Sequence, residues 1–347
     1  MSAETTALVK AKAAALGFDL CGVAKAGPLD PAAFQKWLDG KWDAGLHYMR
    51  DRVAQRMDPR LLVPNARSVI VVACTYGQGS TAPAVLEPEA GGRKPEASLA
   101  IARYAQNRDY HNVLLKPVRK LAAWLREELS AAVYAEVDAG AVAEKAWAER
   151  AGLGWIGKNG CLINERLGSW LLLGALVTDA DLVPDRSSPD RCGDCAACLP
   201  ACPTDAFPEP RFVDANRCLA YHTIEHRGPI PEELAASAGG RVFGCDICQE
   251  VCPWNRRAPE ATLVTLRPRP EQRALEPADA LTLTDATFRA RFTGTPLMRA
   301  GRDGLVRSAL AILPRPIDPS LLPLVRALVD DPAEGVRVEA RRALAAV

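Results

Sequence analysis

The stretch RCGDCAACLPACP, residues 191–203, places four cysteines within eleven positions and follows the last of them with a proline. Its spacing is C-x2-C-x2-C-x3-C-P, the ligand pattern of bacterial proteins that carry two iron–sulfur cubes. In that pattern, three thiolates spaced by two residues hold one face of a 4Fe–4S cluster. The fourth thiolate, displaced by three residues and a proline, points to the neighbouring cluster. The stretch therefore predicts a two-cluster module at the centre of this fold.

A second cysteine set follows along the chain and completes eight candidate ligands. It consists of Cys218 and the run Cys245-x2-Cys248-x3-Cys252-Pro253. The crossed fourth ligand then decides which thiolates share a cluster. The ligands predicted for the first cluster are Cys192, Cys195, Cys198 and Cys252. The ligands predicted for the second cluster are Cys202, Cys218, Cys245 and Cys248.

Structural zinc and plain buried cysteine are the alternatives for these thiols. Zinc sites present two separated C-x2-C pairs, and a triplet with a trailing Cys-Pro does not give that arrangement. The remaining cysteines, Cys21, Cys74 and Cys161, lie in apolar contexts without partners at ligand spacing, so we predict that they are small core residues.

Length and composition describe a chain with room for two or three modules. It has 347 residues, of which 48% are hydrophobic, and a formal net charge of +1, which argues neither for nor against a polyanionic partner. The longest apolar stretch, WLLLGALVT at 170–178, is far shorter than the roughly 20 residues of a membrane-spanning helix. The N-terminal MSAETTALVK lacks a secretory pattern. We therefore expect a cytoplasmic protein without a membrane segment, whose eleven cysteines serve metal or redox chemistry.

The patterning divides the chain into three segments. Residues 1–180 alternate helical and strand-like runs, among them the buried strand SVIVVACTY at 68–76. Residues 181–260 are rich in cysteine, proline and glycine, so bound metal is expected to supply part of their stability. Residues 261–347 return to helical spacing and are expected to dock on the rest. A polar connection at 77–99 is predicted to be a mobile loop.

Two motifs fail on their context. GLGWIG at 152–157 fits a dinucleotide fingerprint by its letters, but it follows a predicted helix instead of a strand, so we reject a nicotinamide site. DYHNVL at 109–114 contains the Asp-x-His of many cobalamin proteins, yet Leu114 stands where a glycine is expected. If cobalamin binds, this motif does not establish His111 as its axial ligand.

The sequence leaves two possible roles open for Asp138 and two for the arginines of the tail. Asp138 ends the strand-like run AVYAEV, where ligands often meet open sheets, but it also suits the N-cap of the helix predicted from 141. From residue 289 onward, ten arginines face six acids, which fits a solvated helical surface as well as one that contacts RNA.

Several motifs together closely resemble the epoxyqueuosine reductase family, and the resemblance spans almost the whole chain. The motifs are ARYAQNRDYHNVL (102–114), VDAG (137–140), ERAGLGWIGKN (149–159), YHTIEHRGPIPEEL (221–234), CPWNRRAP (252–259) and the two cysteine sets. The resemblance implies an α+β protein. Its parts would be an N-terminal cobalamin-binding α/β domain related to reductive dehalogenases, a ferredoxin-like two-cluster module and a C-terminal HEAT-like segment that helps to bind tRNA.

The family also implies an activity and roles for individual residues. Members reduce epoxyqueuosine at the tRNA wobble position to queuosine, using base-off cobalamin and two 4Fe–4S clusters. Asp138 matches the family's proton donor, and we expect burial near the corrin to raise its pKa. The candidate cofactor-binding residues are Arg60, Tyr104, His111, Asp138, Lys145, Lys158 and Asn159.

The resemblance also suggests which partners the protein has. Arg227, Arg256 and Arg257 are the candidate contacts to the anticodon backbone of tRNA. We expect a monomer that receives electrons from an unidentified flavodoxin- or ferredoxin-type donor. Two other functions remain open at this point: a ferredoxin-type electron carrier, which would leave the N-terminal segment unexplained, and an oxidoreductase similar to reductive dehalogenases.

Overall fold

The structure is a computed structural model that describes residues 2–79 and 98–345. Most of the connection predicted as a mobile loop, residues 80–97, lies outside the described residues. Within the part described, no helix has both the length and the apolar character needed to cross a membrane.

A four-stranded antiparallel sheet forms the centre of the N-terminal segment. The strands are β1 (Leu20–Lys25), β2 (Ser68–Thr75), β7 (Leu171–Thr178) and β4 (Val133–Glu136), adjacent in that order. The two long central strands pair over their whole length, so that Ser68 lies opposite Thr178 and Thr75 opposite Leu171. β4 is therefore an edge strand, and the chain leaves the sheet just before Asp138.

Both faces of this sheet are covered by helices, which explains why β2 is an uninterrupted apolar run. Helices α1 (Ala3–Ala15) and α4 (Tyr110–Leu129) cover one face, and α5 (Glu144–Arg150) covers the other. Side chains alternate across a strand, so Ile70 and Val72 pack towards α4 while Val69 and Val71 pack towards α5. Every residue of β2 is buried.

The predicted elements occur close to their expected positions, and the strands of the open sheet beside Asp138 pair in the antiparallel direction. All three strand pairings in this sheet are antiparallel. The alternation of helix and strand in a sequence sets the period of each segment and not the direction in which strands pair. The rule that ligands meet the carboxyl ends of parallel strands therefore does not apply to Asp138.

Short elements complete the N-terminal segment. They are α2 (Ala32–Asp39), α3 (Val53–Met57), β5 (Trp155–Ile156) and β6 (Leu162–Ile163). Helix α5 precedes GLGWIG and strand β5 lies within it, which confirms that this motif has the reverse order of a dinucleotide fingerprint.

A second sheet joins the three predicted segments. Strand β3 (Leu99–Ile101) pairs in parallel with β8 (Arg241–Phe243) and antiparallel with β9 (Ala274–Leu275). One hydrophobic core extends around this sheet and contains residues from before 110, from 219–243 and from the C-terminal helices. The helices between and beyond these strands are α6 (Leu219–Ile224), α7 (Glu232–Ala236), α8 (Ile247–Glu250), α9 (Pro277–Leu281) and α10 (Asp285–Phe292).

The last three helices dock on the cysteine-rich segment. They are α11 (Gly301–Ile312), α12 (Leu322–Ala327) and α13 (Glu334–Ala345). Arg307 of α11 is buried and donates hydrogen bonds to the backbone carbonyls of His222, His226 and Gly228. The tail is thus tied to the segment that carries the second cysteine set, while its HEAT-like character stays a prediction.

Candidate active site

The four cysteines predicted for the first cluster surround one cavity. This cavity is partly open to solvent, and its lining includes Cys192, Cys195, Cys198 and Cys252. Lys158, Asn159 and Trp254 complete the wall together with Ile163. Cys252 comes from the second cysteine set and still lies with the first three thiols, as the crossed pattern requires.

The other four thiols also influence one another. Burial raises the pKa of the Cys218 thiol, and the neighbouring Cys202 adds to this rise. Burial likewise raises the pKa of Cys248, with further contributions from Cys161, Cys245 and Cys218. The second predicted set is therefore a spatial group, and Cys161 lies beside it.

The donor set fits two iron–sulfur cubes better than single metal ions. Among residues 2–79 and 98–345, no three or more His, Cys, Asp or Glu side chains converge tightly enough to hold one ion. A cube bonds each thiolate to a different iron, so its ligands need not meet at a point. Burial raises the pKa of Cys245 to about 12, and a cluster would replace the proton that this thiol otherwise keeps.

Asp138 lies in a strained turn just after the edge strand β4. Its φ is +60°, and the Ala139 N–H donates to the Val137 carbonyl over 2.6 Å. This is a γ-turn with positive φ at its centre, a rare conformation that the surroundings must stabilise. Helix α5 begins only at Glu144, and its N-cap residue Ala143 makes no side-chain capping bond. The N-cap alternative for Asp138 is therefore wrong.

Two residues from the first turn of α4 hold the Asp138 carboxylate. The Tyr110 hydroxyl donates to Oδ2 over 2.5 Å, and His111 Nε2 lies 3.2 Å from the same oxygen. The other ring nitrogen of His111, Nδ1, is 2.8 Å from Asp109 Oδ1. Asp109 also caps α4 by accepting a hydrogen bond from the His111 N–H. The end of α4 thus fixes both partners of Asp138.

In this group the pKa of His111 is raised and the pKa of Asp138 is lowered. Hydrogen bonding to Asp109 and then to Asp138 raises the pKa of His111 to about 9. The hydrogen bond from His111 is the largest cause of the lowered pKa of Asp138, whose side chain is 60% exposed. In this structure the hydrogen bonds from His111 and Tyr110 outweigh the desolvation of Asp138. The expectation that burial near the corrin raises the pKa of Asp138 concerns the cofactor-bound site and stays a prediction. With its pKa raised to about 9, His111 carries a proton at neutral pH.

Tyr104 connects the Asp138 group with the second cysteine set. Its ring centroid lies 6.1 Å from that of Tyr110 and 6.3 Å from that of Phe243, two residues before Cys245. Burial raises the pKa of Tyr104, and the negative charges of Asp246 and Asp138 raise it further. Tyr104 therefore lies between the group of Asp138, Tyr110 and His111 and the second cysteine set.

The other candidate cofactor residues fall into two groups. Lys145 Nζ donates to the Gly160 carbonyl over 2.7 Å, and Lys158 Nζ donates to the Gly193 carbonyl over 2.8 Å. Asn159 is buried and donates to the Cys248 carbonyl, so the loop at 157–161 contacts both cysteine sets. Arg60, in contrast, forms an ion pair with Asp58. The structure does not bring Arg60 into contact with Asp138.

The candidate RNA-binding arginines also separate. Arg227 donates to the backbone carbonyls of Ile224, Arg299 and Ala300, so its guanidinium is engaged within the protein. Arg256 and Arg257 are exposed beside the cavity of the first cysteine set. Within the described part of the chain, neither Arg256 nor Arg257 makes a side-chain hydrogen bond, so both present their charges to solvent.

Sequence reasoning missed three residues of this site. Arg299 makes a two-bonded ion pair with Glu225 at 2.8 and 2.9 Å, and its charge contributes to the lowered pKa of Asp138. Its only signal was membership of the arginine-rich tail. Tyr110 stood in a quoted motif next to His111 and could have been selected there. Glu136, behind Asp138, gave no signal, because a single glutamate at a strand end is common.

Comparisons with known proteins agree on one family. Residues 56–139 match the family described as epoxyqueuosine reductase QueG, DUF1730, and residues 191–255 match a 4Fe-4S double cluster binding domain. The epoxyqueuosine reductase of Gloeobacter violaceus is 41% identical over 90% of this chain and 96% of its own length. That of Pseudomonas aeruginosa is 39% identical over 86% of this chain and 81% of its own.

Solved structures give the same result across nearly the whole chain. The crystal structure of a selenomethionine-labelled epoxyqueuosine reductase matches 98% of this chain and 90% of its own, with a TM-score of 0.89 and 27% identity. A structure of epoxyqueuosine reductase with an epoxyqueuosine-modified tRNA-Tyr stem loop matches 98% of this chain and 89% of its own, with a TM-score of 0.87 and 28% identity.

Proposed function

The chain belongs to the epoxyqueuosine reductase family, a family of oxidoreductases that act on tRNA, and we propose that it reduces epoxyqueuosine to queuosine at the wobble position. The observation that carries this proposal is the group of Asp138, Tyr110 and His111 next to Tyr104 and the second cysteine set. This arrangement brings proton donors and an electron-carrying module to one place. A plain electron carrier would need no such proton-handling group.

The reaction requires both parts of the site. Conversion of an epoxide to an alkene consumes two electrons and two protons and releases the epoxide oxygen as water. The double-cluster module would deliver the electrons one at a time. The proton-handling group would neutralise the oxygen as its carbon–oxygen bond breaks.

Cobalamin enters the proposal through the family resemblance. Both ring nitrogens of His111 have carboxylate partners, so His111 would face the cofactor while it stays hydrogen-bonded to Asp109 and Asp138. Bound cobalamin would supply a strongly reducing, nucleophilic cobalt centre. Tyr104 and His111 are the residues we propose to contact it, with Lys145, Lys158 and Asn159 supporting the loop on the cluster side.

We propose that the proton reaches the substrate oxygen through Asp138. At neutral pH the proton is held by His111, whose pKa is raised to about 9, and Asp138 is an ionised acceptor between His111 and Tyr110. A developing alkoxide beside Asp138 is far more basic than a carboxylate. It would take a proton from Asp138 as His111 passes its own proton to the same carboxyl group.

The substrate class is tRNA, and the proposed contact surface differs from the sequence-based one. The related structure with a modified stem loop supports tRNA as the substrate of this chain too. Arg256 and Arg257 remain proposed backbone contacts because they are exposed. We also propose Arg299, which is ion-paired with Glu225 but more than half exposed, and whose charge contributes to the lowered pKa of Asp138. A tRNA substrate also supports a cytoplasmic location.

The test is an anaerobic assay of the purified protein with added cobalamin and tRNA that carries epoxyqueuosine. We expect queuosine in the digested tRNA and about eight irons per chain. Asp138→Asn should keep the irons and lose turnover by at least a hundredfold, the lower range for a positioned proton donor. Near-normal turnover would remove Asp138 from the reaction, and zinc in place of iron would remove the redox function.

A further inference from the structure

We infer that the buried carboxylate of Glu136 is a positioning residue, which holds the loop after β4 in the conformation that presents Asp138. This inference rests on the proposed function, since it assigns the loop a role in that reaction. Glu136 is the last residue of β4, two positions before Asp138, and is only 6% exposed.

Three donors converge on the Glu136 carboxylate. Its Oε2 accepts a hydrogen bond from the Tyr134 hydroxyl over 2.6 Å and one from the Ala141 N–H over 2.9 Å. Its Oε1 accepts a hydrogen bond from the Val142 N–H over 2.8 Å. Hydrogen bonds to an ionised acceptor are about twice as strong as neutral ones. The carboxylate therefore ties the far side of the loop back to the strand from which it leaves.

The sequence of the loop is adapted to this carboxylate at Gly140. A Cβ built on Gly140 would lie 1.3 Å from Glu136 Oε2 and 1.9 Å from its Cδ. Any other residue would push the carboxylate away from the Ala141 and Val142 N–H groups. The end of a glutamate side chain normally moves at low cost, but three hydrogen bonds hold this one. Gly140 and Glu136 therefore act as a unit.

The strain at Asp138 is the reason why this unit matters for the reaction. A non-glycine residue at φ +60° in a γ-turn is unfavourable and persists only where neighbouring contacts enforce it. Tyr110 and His111 hold the Asp138 side chain, whereas Glu136 holds the backbone that follows it. Without the second restraint the turn can relax, and the carboxylate then moves away from His111.

A buried carboxylate at position 136 would be unfavourable if it did not accept these hydrogen bonds. Burial of a carboxylate without a cation is unfavourable unless hydrogen bonds compensate it. Glutamine has the same shape, but its NH2 group cannot accept a hydrogen bond from either backbone N–H. A loop that needed only to close would be served by an ordinary turn.

The experiment compares Glu136→Gln with Glu127→Gln, a matched change on the exposed side of α4. For Glu136→Gln we expect kcat to fall by tenfold or more, with KM for the tRNA and the iron content unchanged. Amide hydrogen exchange in peptides that contain residues 141 and 142 should become faster. The pKa of His111 should fall from about 9, because Asp138 contributes to it. Glu127→Gln should change none of these quantities.

Gly140→Ala gives an independent route to the same displacement. We expect it to lower kcat and the pKa of His111 as Glu136→Gln does, and the double variant should be little worse than either single one. If Glu136→Gln does not fold, Gly140→Ala still decides the matter. Normal kcat in both variants, or a lower kcat with an unchanged His111 pKa, would overturn the inference. Failure of the wild-type protein to make queuosine would instead refute the proposed function.

Discussion

At the scale of single residues, the main feature of the site is that His111, and not Asp138, carries the proton. Asp138 was selected as the proton donor, yet the structure lowers its pKa and raises that of His111 to about 9. The cause is one pair of contacts, from Asp109 and Asp138, on the two nitrogens of the same ring. A donor role for Asp138 therefore depends on His111.

The raised pKa of His111 predicts a pH dependence of stability. Protonated His111 is favoured in the folded state, so its contribution is fully present below its ordinary pKa of 6.5. That contribution is lost as the pH rises through about 9. We expect the apparent Tm of wild type to exceed that of His111→Gln at pH 6 and the difference to shrink by pH 9.5. A difference that grows with pH would contradict the assignment.

At the scale of elements, the start of α4 combines helix capping with the electrostatics of the Asp138 group. Asp109 accepts the His111 N–H over 3.0 Å as the N-cap and also contacts the His111 ring. The Asp109 side chain thus caps the helix and also raises the pKa of the His111 imidazole. The loop after β4 completes the arrangement from the other side, so the site lies between two element ends.

Asp109→Ala tests this double role. Loss of an N-cap costs about 1 kcal/mol, so we expect the apparent Tm to fall by about 2 °C in a chain of this size. The pKa of His111 should fall as well, because Asp109 is the largest cause of its rise. Asp109→Asn is the matched control: it keeps a cap but removes the charge. We expect it to lower the His111 pKa with little change of Tm, and equal Tm losses in both variants would argue against capping.

At the scale of the whole molecule, a thiol of the second cysteine set lies with three thiols of the first. Cys252 lies with Cys192, Cys195 and Cys198 around one cavity, although about fifty positions separate it from Cys202. Each cluster would therefore be held by two distant parts of the chain. The second sheet and the core around it fix those parts relative to each other.

Iron counting distinguishes crossed from uncrossed ligation. Cys252→Ser should reduce the iron from about eight to about four per chain. Adding Cys192→Ser should leave about four, because both residues serve the same cluster in the crossed arrangement. Adding Cys245→Ser should instead reduce the iron towards zero. The opposite pattern in the two double variants would assign the clusters to the separate cysteine sets.

The tRNA surface also belongs to this scale, since it combines residues from distant segments. Charge reversal of Arg256 and Arg257 together should weaken tRNA binding and flatten its salt dependence, because phosphate contacts release counterions. The bound cobalamin spectrum should not change. Arg227→Gln serves as the comparison, since Arg227 is engaged with backbone carbonyls. Unaltered tRNA affinity after the charge reversal would put the binding surface elsewhere.

The sequence by itself determined the local features of this protein. The cysteine spacing predicted that Cys252 lies with the first three thiols, because C-x2-C-x2-C-x3-C-P is a two-cluster pattern in which the fourth thiolate belongs to the other cluster. The apolar, β-branched run at 68–76 predicted β2 near its position. The family resemblance, supported by relatives over most of the chain, brought Asp138 to attention.

Only the tertiary structure decided which groups meet. The antiparallel pairing of the sheet, the engagement of Arg227 and the contact of Tyr110 and His111 with Asp138 all join residues that are distant in sequence. The protonation of His111 follows from those contacts, because a pKa depends on neighbouring charges and burial. Neither propensity nor spacing records such neighbours. The chemistry of the site is therefore a property of the folded chain.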